Sequence, residues 1–538
     1  MIFVIILFLF SLSFANFYKS KRFIHMLQQN LYNENNRYLK WIMKNKSIFL
    51  GIDSISILIC LISVFVTFDI ESINIIFLLI ISIINIIIGH SYRKMIKEDQ
   101  NKKKLVITAR IKRLITTITI LFLIPTFIIG LKIDNMKYCL SMFLIIEIMT
   151  YLNPIIIFIA KIINTPIEKC VYIYYKSKAQ KKLKSMSNLK IIGITGSYGK
   201  TSSKNILSDI LNIKYNALPT PKNLNTYNGL IMTVNNYMDK FTDIFIAEMG
   251  AYVRGEIAGL CKLVKPQYGI LTTIGKAHLE SFGSEENIVK GKFELIESLP
   301  KNGFAILNGD DPKQVSYKLK NKIKTIWIGI NNKTADVIAE NIKCSNKGTE
   351  FDLKLKNRKE SYHFETKLLG DHNVYNILAG IACGLEFNID IKDLQQAVKT
   401  VKPVEHRLEL KRLGNFYQID DAYNSNPVGA ENACKVLKMM NGIKVVVTPG
   451  MIELGEKEDY YNKEFGRQIA EVADYAILIG EKKTKPIKEG LLESKFDKEK
   501  IIVFNDVRDA YPFIGQLATK NEVYALFEND LPDIYNEK

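Results

Sequence analysis

The chain has 538 residues, 48% of them hydrophobic, enough for several domains with real cores. Its formal charge of +18 would suit a nucleic-acid partner, but the distribution excludes that reading: residues 1–190 hold 26 Lys and Arg against 9 Asp and Glu, and the other 348 residues are nearly balanced at 47 against 46. Seven cysteines without a CxxC pair fit reduced cytosolic thiols better than a disulfide framework or a zinc ribbon.

Five apolar runs come first, at about 1–16, 48–68, 72–91, 114–131 and 138–162, and they predict an all-α region of five transmembrane helices over 1–168. The stretches at 16–46 and 92–113 carry seven and nine Lys or Arg, whereas "DIES" at 69–72 carries none. Basic loops stay in the cytoplasm, so the N-terminus is expected outside and everything after the fifth helix inside. The first run lacks a positive segment before it and reads as a span, not a signal peptide cleaved after Ala15. The runs offer no intramembrane charge pair, with Glu147 standing alone. Residues 169–187, rich in lysine and tyrosine, read as a basic connector lying along anionic headgroups.

Next comes "IIGITGSYGKTSSKNIL", 191–207: a β-branched strand, a loop with two glycines, then an amphipathic helix. That order is the context a phosphate loop requires. Backbone N–H groups of Gly196, Ser197, Tyr198, Gly199 and Lys200 are expected on phosphate oxygens, with Ser202 beside them. Lys200 would neutralise the terminal phosphates and the Thr201 hydroxyl suits Mg²⁺. Further on, "TDIFIAEMG" is a buried strand ending at Glu248, "YGILTTIGKAHLESFGS" runs into His278, and "ENIVKGKFELIESLP" is a helix with Lys292 near its start. Each of these three groups has a plain structural alternative when taken singly. Together, behind one phosphate loop, they shift the balance toward a functional cluster.

"GITGSYGKTS", "AEMGAYVRGEIAGL", "TTIGKAHLESFGS" and "GKFELIESLP" resemble the central domain of the Mur ligases, and within that family the enzymes that add D-alanyl-D-alanine to UDP-muramoyl-tripeptide. The resemblance implies that Thr201 and Glu248 hold Mg²⁺, that His278 holds a second ion, and that Lys292 is carbamylated. It extends to "FAILNGDDP" (Asn308, Asp310, Asp311) and "GDHNVYNILAG" (His372, Asn373, Asn376), which match nucleotide-lining segments. It continues to Arg407 in "PVEHRLEL", expected near the phosphates, and to Asp421, Tyr423, Asn424 and Asn426 in "IDDAYNSNP". Asn225 and Thr226 in "TPKNLNTYNGL" are candidates for the acceptor, as Asn424 and Asn426 are for substrate.

The implied fold is α/β: a Mur-ligase-like ATP-binding domain over 188–402 and a Rossmann-like domain over 403–538 with strands near 414–422, 443–450, 475–480 and 500–504. The implied activity is ATP- and Mg²⁺-dependent amide-bond formation through an acyl phosphate, on a UDP-linked or lipid-linked muramoyl peptide, at the inner membrane beside cell-wall biosynthesis partners. Lys200, Lys292, His278 and Arg407 would carry the chemistry. Three features depart from the pattern. Membrane helices stand where the family has a UDP-binding domain, "TPGMIELGEKE" replaces a glycine-aspartate-methionine sequence, and the terminal "ALFENDLPDIYNEK" lacks the usual lysine-glycine-serine segment. The alternatives are a poly-γ-glutamate-type synthetase or another Mur-like ligase acting on a lipid-linked substrate, a membrane transporter powered by the phosphate loop, and an inactive scaffold that binds a partner at the membrane.

Overall fold

The computed structural model describes residues 2–30, 32, 36–49, 51–65, 71–100, 104–130, 136–422, 425–452, 454 and 457–529. It divides into two compact units, Met1–Tyr174 and Tyr175–Lys538.

The first unit is helical: α1 (Ile2–Gln29), α2 (Arg37–Lys44), α3 (Ile52–Phe65), α4 (Glu71–Gln100), α5 (Ala109–Gly130), α6 (Met136–Tyr151) and α7 (Asn153–Ser185). Among the described residues, stretches of three helices, Ile2–Gln29, Ile73–Lys97 and Ala109–Ile128, are long and apolar enough to cross a membrane. The pair Tyr138–Tyr151 and Asn153–Ser185, bent by 82°, makes a fourth if counted as one span. About five spans were expected, the first of them short, and two runs differ for local reasons. The run at 48–68 is carried by α3, whose 14 residues rise only about 21 Å against a hydrocarbon core of about 30 Å. The run at 138–162 breaks at Leu152, just before the Asn153-Pro154 pair that starts a new helix.

Polar groups tie this bundle together. Lys19 Nζ lies 2.5 Å from Asp53 Oδ2, both buried, and Tyr92 Oη donates to the same carboxylate oxygen at 3.2 Å. Asn85 Nδ2 donates to Glu147 at 2.6 Å, and Asn153 Nδ2 to Asn16 Oδ1 and Ser20 Oγ. Glu147 is therefore not the lone buried charge of this unit.

The connector expected over 169–187 is, as far as Ser185, the last part of α7. Within the second unit its Ala179 and Leu183 join the core that holds Leu189, Leu230 and Val234, which does not fit a segment lying free along headgroups.

The second unit contains β1 (Lys190–Thr195), α8 (Lys200–Leu211), β2 (Ala217–Pro219), α9 (Tyr227–Asn236), β3 (Ile244–Glu248), α10 (Glu256–Val264), β4 (Tyr268–Leu271), α11 (Leu279–Phe282), α12 (Glu285–Glu297), β5 (Phe304–Asn308), α13 (Pro312–Val315), β6 (Lys324–Gly329), β7 (Val337–Ser345), β8 (Gly348–Leu355), β9 (Ser361–Thr366), α14 (Asp371–Glu386) and α15 (Ile391–Thr400). Their sheet has the order β2-β3-β1-β4-β5-β6-β7-β8-β9, parallel up to β7 and antiparallel after it. The inner strands β1, β3 and β5 are almost entirely buried, as parallel strands covered on both faces must be. One face packs against α8 and α14 and the other against α10 and α12.

A second sheet follows from β10 (Glu409–Leu413), β11 (Phe416–Asp421), α16 (Pro427–Lys438), β12 (Ile443–Thr448), α17 (Glu458–Ala470), β13 (Tyr475–Ile479), α18 (Lys485–Glu493), β14 (Ile501–Phe504), α19 (Ala510–Leu517) and β15 (Val523–Glu528). Its order is β10-β11-β15-β12-β13-β14, with only β10 antiparallel. In both sheets the chemistry-bearing residues lie just beyond the carboxyl ends of parallel strands, where open α/β sheets bind ligands.

Candidate active site

The loop after β1 is shaped by its glycines. Gly196 has φ +153°, and a Cβ there would lie 1.9 Å from Thr272 Oγ1, so no larger residue fits; Gly199 has φ +80° and caps α8. The backbone N–H groups of Ser197 and Tyr198 donate to the Thr273 carbonyl at 2.9 and 3.4 Å, which differs from the expected row of N–H groups facing a ligand. Tyr198 lies against Gly275, where a Cβ would come within 2.1 Å of its ring. Lys200 curls back, its Nζ donating to the carbonyls of Gly196 (2.9 Å) and Ser197 (3.1 Å). Burial lowers its pKa, the Glu248 charge opposes the shift and the Arg407 charge adds to it.

Thr201 and Glu248 are in contact. The threonine Oγ1 lies 3.2 Å from both carboxylate oxygens, and Glu248 is 1% exposed at the end of β3, beside β1. A hydroxyl and a carboxylate side by side are the oxygen donors a hard cation takes, with phosphate completing the set, so these residues fit Mg²⁺. Among the described residues there is no group of three or more His, Cys, Asp or Glu that could hold a metal by itself. Ser202 is half-buried beside Thr201.

His278 has a left-handed backbone, φ +59°, with its exposed ring 4.4 Å from that of Tyr252. Desolvation lowers its pKa, and the charges of Lys292 and Lys200 lower it further. Lys292, 2% exposed on α12, has Nζ 5.4 Å from the Phe282 ring. Burial and then the Lys200 charge push it down to about 7. Lys200, His278 and Lys292 therefore feel one another's fields, and a neutral amine at Lys292 is the form that reacts with carbon dioxide.

The remaining candidates divide. Asn376 accepts from Ser203 Oγ at 2.5 Å and donates to Asn373, and its Oδ1 is 3.6 Å from a Cβ built on Gly199, so the α14 segment lies against the phosphate loop. Asn308 accepts from the Asp310 N–H. Asp310 takes three backbone N–H groups of residues 330–332 and the Tyr375 hydroxyl, which together outweigh burial and hold its pKa down. Asp311 caps α13 and accepts from the Ile274 N–H. His372 is pushed down to about 4 by burial, with Arg407 adding to the effect.

Arg407 acts electrostatically on Lys200, His372 and Asp421, so the structure gathers it with the loop. Asp421 is pushed up to about 6 by burial, against the pull of Arg407. Asn426 caps α16 and Thr226 caps α9, which gives both a local structural task. Asn225 does not stand free for an acceptor either: its Nδ2 donates to Glu248 Oε1 at 3.0 Å. Tyr423 and Asn424 lie outside the described residues.

Two residues escaped the motif reading. Lys204 ion-pairs with Glu248, and its spacing of four from Lys200 was the available signal. Glu528, fully buried at the end of β15, stands beside Asp421 in register and accepts from Ser425 Oγ at 2.6 Å. It belongs to the terminal segment in which the chain departs from the pattern, and that departure was its signal.

The Mur ligase middle domain matches residues 194–384, and the Mur ligase glutamate ligase domain matches 406–527. The UDP-N-acetylmuramoyl-tripeptide–D-alanyl-D-alanine ligase of Bacillus subtilis (strain 168) is 32% identical over 339 residues, 62% of this chain and 72% of that protein. The ligase of the same name from Escherichia coli (strain K12) is 32% identical over 279 residues, 52% of this chain and 61% of that protein. Among solved structures, a MurF crystal structure from Acinetobacter baumannii superposes with TM-score 0.58 at 28% identity, covering 66% of this chain and 77% of that one. MurF from Thermotoga maritima in complex with ADP gives 0.58 at 26% identity, covering 66% and 79%. On its sheet order, its phosphate loop and these likenesses, the chain belongs to the Mur ligase family.

Proposed function

We propose that this chain is a membrane-anchored, ATP-dependent, ADP-forming ligase that joins a muramoyl-peptide carboxylate to the amine of D-alanyl-D-alanine or a similar dipeptide. The observation that carries the reading is the gathering of Lys200, Thr201, Glu248, His278, Lys292 and Arg407 around one phosphate loop. The curated relatives bear the matching name, and a solved neighbour binds ADP.

A carboxylate is a poor acyl donor because its leaving group would be oxide. Transfer of the γ-phosphoryl group to one of its oxygens gives an acyl phosphate and ADP. The amine then attacks the carbonyl carbon, phosphate leaves and the nitrogen loses a proton. Lys200 offsets charge on the transferred group and Arg407 approaches from the C-terminal sheet. Mg²⁺ held by Thr201 and Glu248 would supply charge neutralisation and alignment of the phosphates. His278 and a carbamylated Lys292 would serve a second ion; burial of the amine with no salt-bridge partner among the described residues supports that assignment.

The apolar helices and the basic stretches between them support a multi-pass inner-membrane anchor with the ligase facing the cytoplasm. The acceptor is the UDP-linked precursor or a lipid-linked form of the same muramoyl peptide. Purified protein incubated with ATP, Mg²⁺, D-alanyl-D-alanine and each acceptor in turn, followed by mass spectrometry, tests this. The expected result is an ATP-dependent mass increase of one dipeptide less one water. Steady ATP hydrolysis indifferent to amine and acceptor would overturn the ligase reading.

A further inference from the structure

Lys204 lies one helical turn beyond Lys200 on α8 and is 1% exposed. Its Nζ is 3.1 Å from Glu248 Oε2 and donates to the Lys222 carbonyl at 2.7 Å. Lys222 has a left-handed backbone, φ +49°, in the same loop as Asn225. One side chain thus ties the helix behind the phosphate loop, the carboxylate closing β3 and the segment 220–226. Burying an ammonium is costly without a paired anion. The anion here is the very carboxylate assigned to the cation.

Glu248 already accepts from Thr201, Asn225 and Lys204, and it feels the charge of Lys200 as well. One negative charge therefore faces two lysines. A divalent cation arriving alone would meet a positive neighbourhood and would have to compete with Lys204 for the carboxylate. A cation arriving with a triphosphate brings the surplus negative charge that reverses this balance. We propose that Lys204 is a resident counter-cation: a positioning residue that suppresses binding of a lone divalent ion at Glu248 and makes ion binding conditional on the nucleotide. The inference rests on the reading of Glu248 as a cation ligand. Because the coupling is reciprocal, the ion must tighten nucleotide binding by the same factor.

The test uses purified full-length protein and Mn²⁺, with free ion followed by electron paramagnetic resonance, with and without a non-hydrolysable ATP analogue, corrected against a protein-free mixture. Wild type should bind Mn²⁺ poorly alone and about a hundredfold more tightly with the analogue. Lys204→Gln keeps a donor for the Lys222 carbonyl but loses the charge. It should bind Mn²⁺ alone about tenfold more tightly, with the coupling reduced to match. Lys204→Arg should follow wild type. Unchanged or weaker Mn²⁺ binding by a folded Lys204→Gln protein overturns the proposal. Should that variant fail to fold, tight and uncoupled Mn²⁺ binding by wild type overturns it equally. Glu248→Gln separates the two readings: if it leaves the Mn²⁺–analogue complex intact, Glu248 is not a ligand. If it abolishes the complex while Lys204→Gln matches wild type, only the role of Lys204 falls.

Discussion

Two buried lysine–carboxylate pairs occur among the described residues, one in each unit, and they differ in what surrounds them. In the helical unit Lys19 and Asp53 are 2.5 Å apart, with the Tyr92 and Tyr151 rings 5.4 and 5.7 Å from the ammonium. Lys19 is on α1, Asp53 on α3 and Tyr92 on α4, so the pair acts as a clamp between these helices. In the ligase unit Lys204 and Glu248 sit at the end of a parallel strand among loops, and the carboxylate also takes Thr201 and Asn225. That carboxylate has more donors than one structural pair requires. Similar chemistry is closed in one place and exchangeable in the other.

The largest expected effect isolates the exchangeable side. Lys200→Ala should lower product formation by roughly a thousandfold, as loss of a charge-stabilising donor does, while circular dichroism and the unfolding profile stay those of wild type. The clamp should show the reverse. Lys19→Met leaves Asp53 buried without its charged partner and should cost about 3–5 kcal/mol of stability in denaturant titrations in detergent, with nucleotide binding retained. The double variant Lys19→Met with Asp53→Leu should recover most of that loss. If it does not, the clamp is more than a clamp and the contrast breaks.

Lys292→Ala should cut activity about a hundredfold, and short carboxylates such as acetate or propionate should restore part of it if a carbamate is the working form. Unimpaired activity without rescue would remove Lys292 from the mechanism. The smallest effect concerns the acid pair Asp421–Glu528. A carboxyl whose folded pKa is raised stabilises the fold fully below its unfolded value near 3.8, and the contribution fades as pH rises through about 6. Above that pH burial, reinforced by the Asp421 charge, holds the Glu528 carboxyl protonated while the unfolded chain ionises it, so the pair costs stability. Glu528→Gln should therefore raise the melting temperature of this region by about 2–4 °C at pH 8 and leave it unchanged at pH 4, read by calorimetry at both values.

What could be read in advance follows the range of the interactions. The phosphate loop, Glu248 at a strand end and the alternation of strand and helix are local, and a window of ten to twenty residues contains their cause. Lys19 and Asp53 are 34 residues apart, Lys204 and Glu248 are 44, and Asp421 and Glu528 are 107, so only the fold brings them together. Asn225, Thr226 and Asn426 show the opposite failure. Their residue types suit ligand contact and helix capping alike, and in this structure two are caps and the third braces a carboxylate. The N-terminal runs were legible as apolar composition. Their lengths and the break at Leu152 were not, because a run of hydrophobic letters does not say where one helix ends.

The thiols offer a practical handle. Cys170, on the outer surface of α7, is exposed, Cys344 is half-buried, and the other five are buried. A membrane-impermeant maleimide added to whole cells thus has one preferred native target, a few residues beyond the final apolar stretch. It should leave Cys170 untouched until the envelope is breached; prompt modification of unbroken cells would put the ATP site on a side that has no ATP. The chain carries its own sidedness reporter, with no tag to insert.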